Sequence, residues 1–283
     1  MSLSTRSWQV TLCLLFIVLG FTSLARARKT KLREKSRELD AGSKMMYNEK
    51  NSHRSVEKGV YMEVLSWEPR AYLYHNFLTN AEADHLIEKG KPHMEKSEVV
   101  DNETGKSAPS KVRTSSGMFL NRGEDDIIEQ IEARIAKYTA VPKENGEGLQ
   151  VLNYQASEEY RPHFDYFHDQ YNILNGGQRI ATMLMYLSDV EEGGETVFPD
   201  SPDKPNMGNS KFSSCAQAGV AVKPKKGDAL FFYSLTPDGK MDETSLHAGC
   251  PVIKGDKWSA TKWLRVERFD AGWIPRAGLN DRQ

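Results

Sequence analysis

The sequence predicts a mainly β fold with flanking helices, of the sandwich or jelly-roll type, and three observations lead there. From Gly148 onward, short apolar runs ("LQVLNYQ", "RIATMLMYLSDV", "DALFFYSL" and "WSATKWLRVERF") alternate with clusters of Gly, Pro, Asp and Asn. Runs rich in aromatic and β-branched residues, broken by turn formers every eight to twelve residues or so, read as strands of a layered or closed antiparallel sheet. Two amphipathic patterns precede these runs, which places helices ahead of the strands rather than between them. A chain of 283 residues with 39% hydrophobic and 10% aromatic side chains can also fill the core such a fold requires.

In chain order the first element is apolar. Residues 8–25, "WQVTLCLLFIVLGFTSLA", carry no charge. As a helix they would reach about 27 Å, close to the ~30 Å hydrocarbon core of a bilayer. Three readings fit: an uncleaved signal anchor, a secretory signal peptide cut after Ser23-Leu24-Ala25, or a buried core helix. Arg26 is an awkward neighbour for cleavage, so an anchor spanning residues 1–25 is the reading taken. Residues 26–58, rich in Lys, Arg, Glu, Asn and Ser without an apolar period, read as a solvated basic stem. Its basic flank alone would argue for the cytosolic side. Against that stand the Asn102-Glu103-Thr104 sequon and a cysteine pair, Cys215 and Cys250, that suits an oxidising compartment. The expectation is a single-pass type II protein of the endoplasmic reticulum or Golgi membrane. Its domain 59–283 would be lumenal, with Asn102 open to glycosylation and Cys215 bridged to Cys250. Two free buried thiols are the other reading of the cysteines. A formal net charge of -1, from 38 basic and 39 acidic residues, gives no reason to expect nucleic-acid binding.

The folded part begins near Gly59 with "VYMEVLSWEPRAYLYHNFL". In "LTNAEADHLIEKGK", Thr79 and Glu82 form a capping box before a helix whose Ala83, Leu86 and Ile87 share one face. In "EDDIIEQIEARIAKYT", Ile127, Ile128, Ile131 and Ile135 recur at helical spacing behind acidic residues that favour the N-terminal dipole. Both helices read as scaffold.

The stretch "YRPHFDYFHD", residues 160–169, concentrates two histidines and two aspartates among aromatic residues that favour extended structure. On a strand, His163 and Asp165 would project from one face toward a common point. A third ligand must come from elsewhere. His247 in "TSLHAGCPV", near a predicted strand start, is the best placed, and His168 is the alternative if the stretch is helical. His53, His75, His85 and His93 fall in the stem or the N-terminal scaffold. Two histidines and one carboxylate bound on one side, with other positions open, form the pattern of non-haem Fe(II) oxygenases. Downstream, "GDKWSATKW" places Lys257, Ser259, Thr261 and Trp263 on one strand face. An inward lysine requires an anion, which a dicarboxylate cosubstrate would supply; a surface lysine on an edge strand is the alternative.

Taken in order, "HFD", "GGETVFP", "LHAG" and "KWSATKW" resemble the prolyl 4-hydroxylase family, in particular its plant and green-algal type. The similarity runs from about residue 60 to about residue 275, and an ordered set of spaced motifs is more specific than any one of them. The resemblance implies a double-stranded β-helix that holds Fe(II) and 2-oxoglutarate, with helices packed outside the jelly roll. At matching positions it implies His163, Asp165 and His247 as iron ligands and Lys257 as partner of the distal carboxylate of 2-oxoglutarate. Tyr154, Thr196 and Thr261 would line that pocket. Tyr160, Arg179 and Trp263 would border a peptide groove, with a plain core role the alternative for Tyr160 and Trp263. Cys215 and Cys250 fall where such enzymes place a disulfide.

The implied reaction is 4-hydroxylation of peptidyl proline by O₂, coupled to oxidative decarboxylation of 2-oxoglutarate to succinate and CO₂, with L-ascorbate rescuing oxidised iron. The substrate would be a proline-rich chain in polyproline II form. The stem is too short for the separate peptide-binding domain of animal collagen enzymes, so hydroxyproline-rich glycoproteins are the expected partners. Three competing readings stay open. One is a 2-oxoglutarate dioxygenase acting on another peptidyl residue. Another is a zinc hydrolase or cupin-like enzyme, which would have no need of Lys257. The last is a non-catalytic lumenal binding module, which would have no use for the complete set His163, Asp165, His247 and Lys257.

Overall fold

A computed structural model describes residues 59–100, 107–109 and 112–272. The expected anchor, the stem and Asn102 lie outside the described residues. Within them the chain opens with a hairpin of Tyr61–Trp67 (β1) and Arg70–His75 (β2), followed by helix α1, Asn80–Gly90. Short strands Glu95–Lys96 (β3), Glu98–Val100 (β4) and Ser107–Pro109 (β5) lead to Ser116–Leu120 (β6) and helix α2, Asp126–Thr139. The strand-rich half comprises Leu149–Tyr154 (β7), Tyr160–His163 (β8), Arg179–Tyr186 (β9), Glu192–Gly193 (β10) and Thr196–Phe198 (β11). It continues with Val220–Val222 (β12), Ala229–Tyr233 (β13), His247–Gly249 (β14), Val252–Lys254 (β15) and Lys257–Arg265 (β16).

Eight of these strands form a major antiparallel sheet in the order β1-β2-β13-β9-β16-β7-β6-β3, and four form a minor sheet in the order β12-β11-β14-β8. Between the sheets lies a core of Ala71, Leu73, Tyr186, Leu230 and Phe232 from the major sheet against Phe198, Val220 and Val222 from the minor one. The expected jelly roll, with its helices outside, is therefore what the chain adopts.

Alternation along each strand explains the layering. On β16, Lys257, Ser259, Thr261 and Trp263 face the minor sheet, whereas Ala260 and Leu264 join the core on the opposite face. That outer core takes Ala83 and Leu86 from α1 and Ile128, Ile131 and Ile135 from α2, the helical faces expected from their spacing. The Thr79–Glu82 capping box forms, and Asp125 caps α2 by accepting from the Ile128 amide. Each cap contributes about 1 kcal/mol. Leu86 is fully buried, so truncating it to alanine would cost about 2–5 kcal/mol.

In "GGETVFP", Gly193 and Gly194 both adopt positive φ, +76° and +68°. Such a conformation is open to glycine at no steric cost and lets the chain turn from β10 into β11.

Candidate metal centre and its pockets

The site is assembled where the minor sheet faces β16 and β9. β8 and β14 pair so that His163 and His247 lie directly opposite each other, their rings 4.3 Å apart. The expectation that His163 and Asp165 share a strand face is corrected here, because β8 ends at His163. Its partner β14 begins only at His247, so the ladder has no further rung for β8 to pair with. The chain then bends, and Asp165 turns inward to accept a hydrogen bond from Thr182 Oγ1 at 2.6 Å. Asp165 thus reaches the site by a tertiary contact rather than by strand parity. Its Oδ1 lies 3.6 Å from His163 Nε2 and its Oδ2 lies 3.6 Å from His247 Nε2. The three ligand atoms fall within 4.8 Å of one another, close enough to share one ion. His168 is exposed at the groove mouth, its ring 5.1 Å from that of Tyr166, and it takes no part in the cluster.

The chemistry of the donor set fits a divalent transition metal. His163 Nδ1 donates to the Arg161 carbonyl at 2.8 Å and His247 Nδ1 to the Ser245 carbonyl at 3.0 Å. Each bond fixes the tautomer that leaves an Nε2 lone pair pointing into the cluster. Burial, reinforced by repulsion from His247, pushes His163 down to about 3, so its imidazole is neutral and ready to coordinate. For Asp165, burial works toward the neutral acid, but the two imidazoles, Arg179 and the Thr182 hydrogen bond outweigh it and hold the carboxyl below its usual range. Two imidazoles and one carboxylate on one side of an ion match the facial arrangement of non-haem iron.

Beneath this cluster is a narrow inner pocket of about 50 Å³, lined among others by Tyr154, Thr196, Lys257, Ser259 and Thr261. Lys257 is 3% exposed, which removes the edge-strand surface reading. Among the described residues no carboxylate lies within ion-pairing distance of it, and burial lowers its ammonium to about 8 despite the opposing field of Glu195. Its Nζ lies 5.5 Å from the centre of the Tyr154 ring. The Tyr186 hydroxyl donates to Thr196 Oγ1 at 3.0 Å, leaving the Thr196 proton free to point elsewhere. A buried cation with hydroxyls beside it fits a carboxylate.

Above the cluster a wider cavity of about 980 Å³ opens outward. Tyr160 stacks on His163 with centroids 3.5 Å apart, and its other neighbour is the Arg113 guanidinium, 4.8 Å from the ring centre. Arg179 lies 3.9 Å from the Trp263 ring and 4.5 Å from that of Phe167. Tyr160, Arg179 and Trp263, the three residues expected to border a peptide groove, all line this cavity.

Several participants were not expected from the sequence. Glu147, buried, accepts from Arg179 Nε at 2.7 Å and Nη2 at 2.8 Å, and from Arg265 Nε at 2.6 Å. Arg113, also buried, donates to Gln150 Oε1 at 2.9 Å. Thr182 carries the hydrogen bond that turns Asp165 inward. The even residues of β9 and β7 that face the barrel could have flagged Thr182 and Gln150 by alternation. Glu147 sits in a turn before β7, where no periodicity applies. Cys215 and Cys250 are bridged, with an S–S distance of 2.06 Å, as expected.

Comparison with known proteins accords with this geometry. The sequence pattern of the 2OG-Fe(II) oxygenase superfamily matches residues 149–265. The chain is 61% identical over 213 residues to the probable prolyl 4-hydroxylase 10 of Arabidopsis thaliana, an alignment covering 74% of this chain and 73% of that one. It is 57% identical over 216 residues to prolyl 4-hydroxylase 5 of the same plant, covering 74% and 72%. Among solved structures it is similar to the viral collagen prolyl hydroxylase of Paramecium Bursaria Chlorella virus-1 in complex with 2OG. That likeness has a TM-score of 0.51 and 28% identity, and covers 74% of this chain and 97% of that one. This chain belongs to the prolyl 4-hydroxylase family of plant type, within the Fe(II)- and 2-oxoglutarate-dependent oxygenases.

Proposed function

We propose that the protein hydroxylates peptidyl proline to 4-hydroxyproline, coupled to conversion of 2-oxoglutarate to succinate and CO₂. The observation that carries this reading is the stacking of a three-donor cluster directly above a pocket holding a buried lysine that has, among the described residues, no carboxylate at ion-pairing distance. His163, Asp165 and His247 would hold the iron. Lys257, Tyr154, Thr196 and Thr261 would hold the distal end of 2-oxoglutarate. Bound there, iron and 2-oxoglutarate supply the oxidising power, with one oxygen atom of O₂ passing to succinate and the other to the proline.

The chain's own residues supply geometry. Thr182 keeps Asp165 turned toward the imidazoles, and the two backbone carbonyls keep both Nε2 atoms aimed inward. The low exposure of Asp165 and His247 limits the water that reaches these two donors. Glu147 holds Arg179 against Trp263, so the groove wall is set before a peptide arrives. Aromatic walls with two ordered arginines, Arg113 and Arg179, suit a proline-rich chain, whose polyproline II backbone exposes unpaired carbonyls. Hydroxyproline-rich glycoproteins are the class of substrate this reading favours, and ascorbate is the reductant it expects.

Placement in the lumen of the endoplasmic reticulum or Golgi, behind an uncleaved anchor at residues 1–25 and a stem at 26–58, belongs to the same proposal. It is supported by the uncharged run 8–25, by the sequon at Asn102 and by the Cys215–Cys250 bridge, which suits an oxidising compartment. A mobility shift on glycosidase treatment, absent in Asn102→Gln, tests that placement.

The catalytic reading is tested by mass spectrometry of a proline-rich peptide incubated with the enzyme, Fe(II), 2-oxoglutarate and ascorbate. The expected result is the gain of one oxygen atom at proline with stoichiometric succinate, both lost in His163→Ala. Wild type indistinguishable from that variant would overturn the reading.

A further inference from the structure

We infer that Glu95 and Glu98 form a subsite for a cationic side chain of the peptide, a lysine or arginine on one side of the target proline, so that the enzyme favours basic proline-rich chains. The inference rests on the reading of the wide cavity as the peptide groove. Both carboxylates line that cavity, and both residues are exposed. Among the described residues neither carboxylate has a cation at ion-pairing distance. Lys96, between them, is taken by Glu158 at 3.3 Å and by the Thr114 carbonyl. Arg179 is held by Glu147, and Arg113 donates to Gln150 and, at 3.3 Å, to the Glu98 carbonyl. The outer groove therefore carries negative charge that the protein leaves unanswered.

Sheet register puts Glu95 on the same face as the metal centre. Glu95 pairs with Gly117 on β6, Gly117 with Leu152 on β7, and Leu152 with Ser259 on β16; residues directly opposite one another share a face. Glu95 thus stands on the inward side of the sheet, at its edge, in the order β16-β7-β6-β3. Three strand spacings of ~4.8 Å make about 14 Å, which a polyproline II chain rising ~3.1 Å per residue covers in about four or five residues. Phe119, 57% exposed, lies on this path with its ring 6.4 Å from that of Trp263. A separate observation shows that the path is built for a ligand. Trp263 Nε1 and Arg113 Nε, on side chains 7% and 5% exposed, have no hydrogen-bond partner among the described residues. Both residues line the cavity and both atoms are donors, so whatever satisfies them must bring acceptors. The carbonyls of a polyproline II backbone do so. A chain seated on Trp263 and Arg113 delivers a residue about four or five positions from its target to Glu95.

Charges on a short edge strand also keep it from pairing with another chain, a role that either sign fulfils. A subsite for a cation depends on the sign, so charge reversal separates the two. The experiment measures kcat/KM of the full chain, with Fe(II), 2-oxoglutarate and ascorbate, on proline-rich peptides in which a lysine, a glutamine or a glutamate is placed at successive positions before and after one proline. Hydroxylation of that proline is read by mass spectrometry. Wild type is expected to favour lysine over glutamine about twofold to fivefold, and glutamine over glutamate, at about four or five residues on one side only. The gain lies in KM and shrinks as salt rises. The ratio falls toward unity in Glu95→Gln, falls part of the way in Glu98→Gln, and inverts in Glu95→Lys, for which the glutamate peptide becomes the better substrate. Ratios are taken within each protein, so a general loss of activity or stability in a variant does not disturb them. Equal kcat/KM for the three peptides at every position would overturn the inference. So would a lysine preference that survives Glu95→Lys, or one of equal size at every position, which marks a diffuse field in place of a subsite. Wild type that hydroxylates none of the peptides would instead overturn the hydroxylase reading beneath it, and the subsite with it.

Discussion

The two faces of β16 each bury a lysine, five residues apart, and treat it in opposite ways. Lys262, 1% exposed on the outer face, makes an ion pair with Glu132 of α2, itself 1% exposed. Lys257, 3% exposed on the inner face, has no carboxylate at ion-pairing distance among the described residues, only a pocket lined by hydroxyls and rings. Burial depresses both ammonium groups, but only at Lys262 does a contacting carboxylate oppose the shift. A folded chain neutralises a buried charge when the charge serves the fold. When it does not, the missing counter-ion defines what the site is built to receive.

The largest effect that would sharpen this contrast is on the inner face. Lys257→Ala should weaken 2-oxoglutarate about hundredfold or more, since truncating one partner of a buried ion pair costs about 3–5 kcal/mol, while the melting temperature without cosubstrate stays level or rises. Paired titration and thermal melts check both halves. Unchanged affinity would break the comparison outright.

On the outer face the pattern should invert. Lys262→Ala, which strands Glu132 in the core, should cost about 3–5 kcal/mol in chemical denaturation and leave 2-oxoglutarate affinity unaltered. A smaller effect is expected when both partners go together. Glu132→Leu combined with Lys262→Met should lie within about 1–2 kcal/mol of wild type, because a packed apolar pair replaces the ions without leaving one behind. A double variant as unstable as Lys262→Ala would show that the pair does more than neutralise itself.

The smallest effect is in the pH dependence of stability. In the folded protein without cosubstrate Lys257 releases its proton near pH 8, whereas unfolded it holds the proton to 10.5. Between those values the unfolded chain binds more protons, so this group's contribution to stability rises with pH. Below pH 8 its penalty is constant and largest. Lys257→Met should therefore melt above wild type at pH 7, with the gap closing as pH climbs from 8 toward 10.5. A gap independent of pH over that window would contradict a depressed Lys257.

How much of this was legible in the sequence follows from the same strand. Period-two alternation was enough to put Lys257, Ser259, Thr261 and Trp263 on one face, and it held because β16 is long and paired on both sides. The same parity consigned Lys262 to the other face, but its partner lies 130 residues away on a helix, and no local pattern links them. The two helices were readable because capping chemistry and isoleucine spacing are local signals. Asp165 was placed correctly for the wrong local reason: β8 stops where its partner stops, and a threonine on β9 does what strand parity was expected to do. The Glu147 cluster escaped notice because it joins a turn, β9 and the end of β16, a junction that exists only after folding.

The most direct test of the central claim is the position of the metal itself, by anomalous diffraction from crystals grown with Mn(II) and 2-oxoglutarate under exclusion of O₂. The account predicts a single peak within bonding distance of His163 Nε2, His247 Nε2 and one Asp165 oxygen, with the cosubstrate running from that ion to Lys257. A metal bound elsewhere, or a peak at the cluster with 2-oxoglutarate absent from the Lys257 pocket, would contradict it.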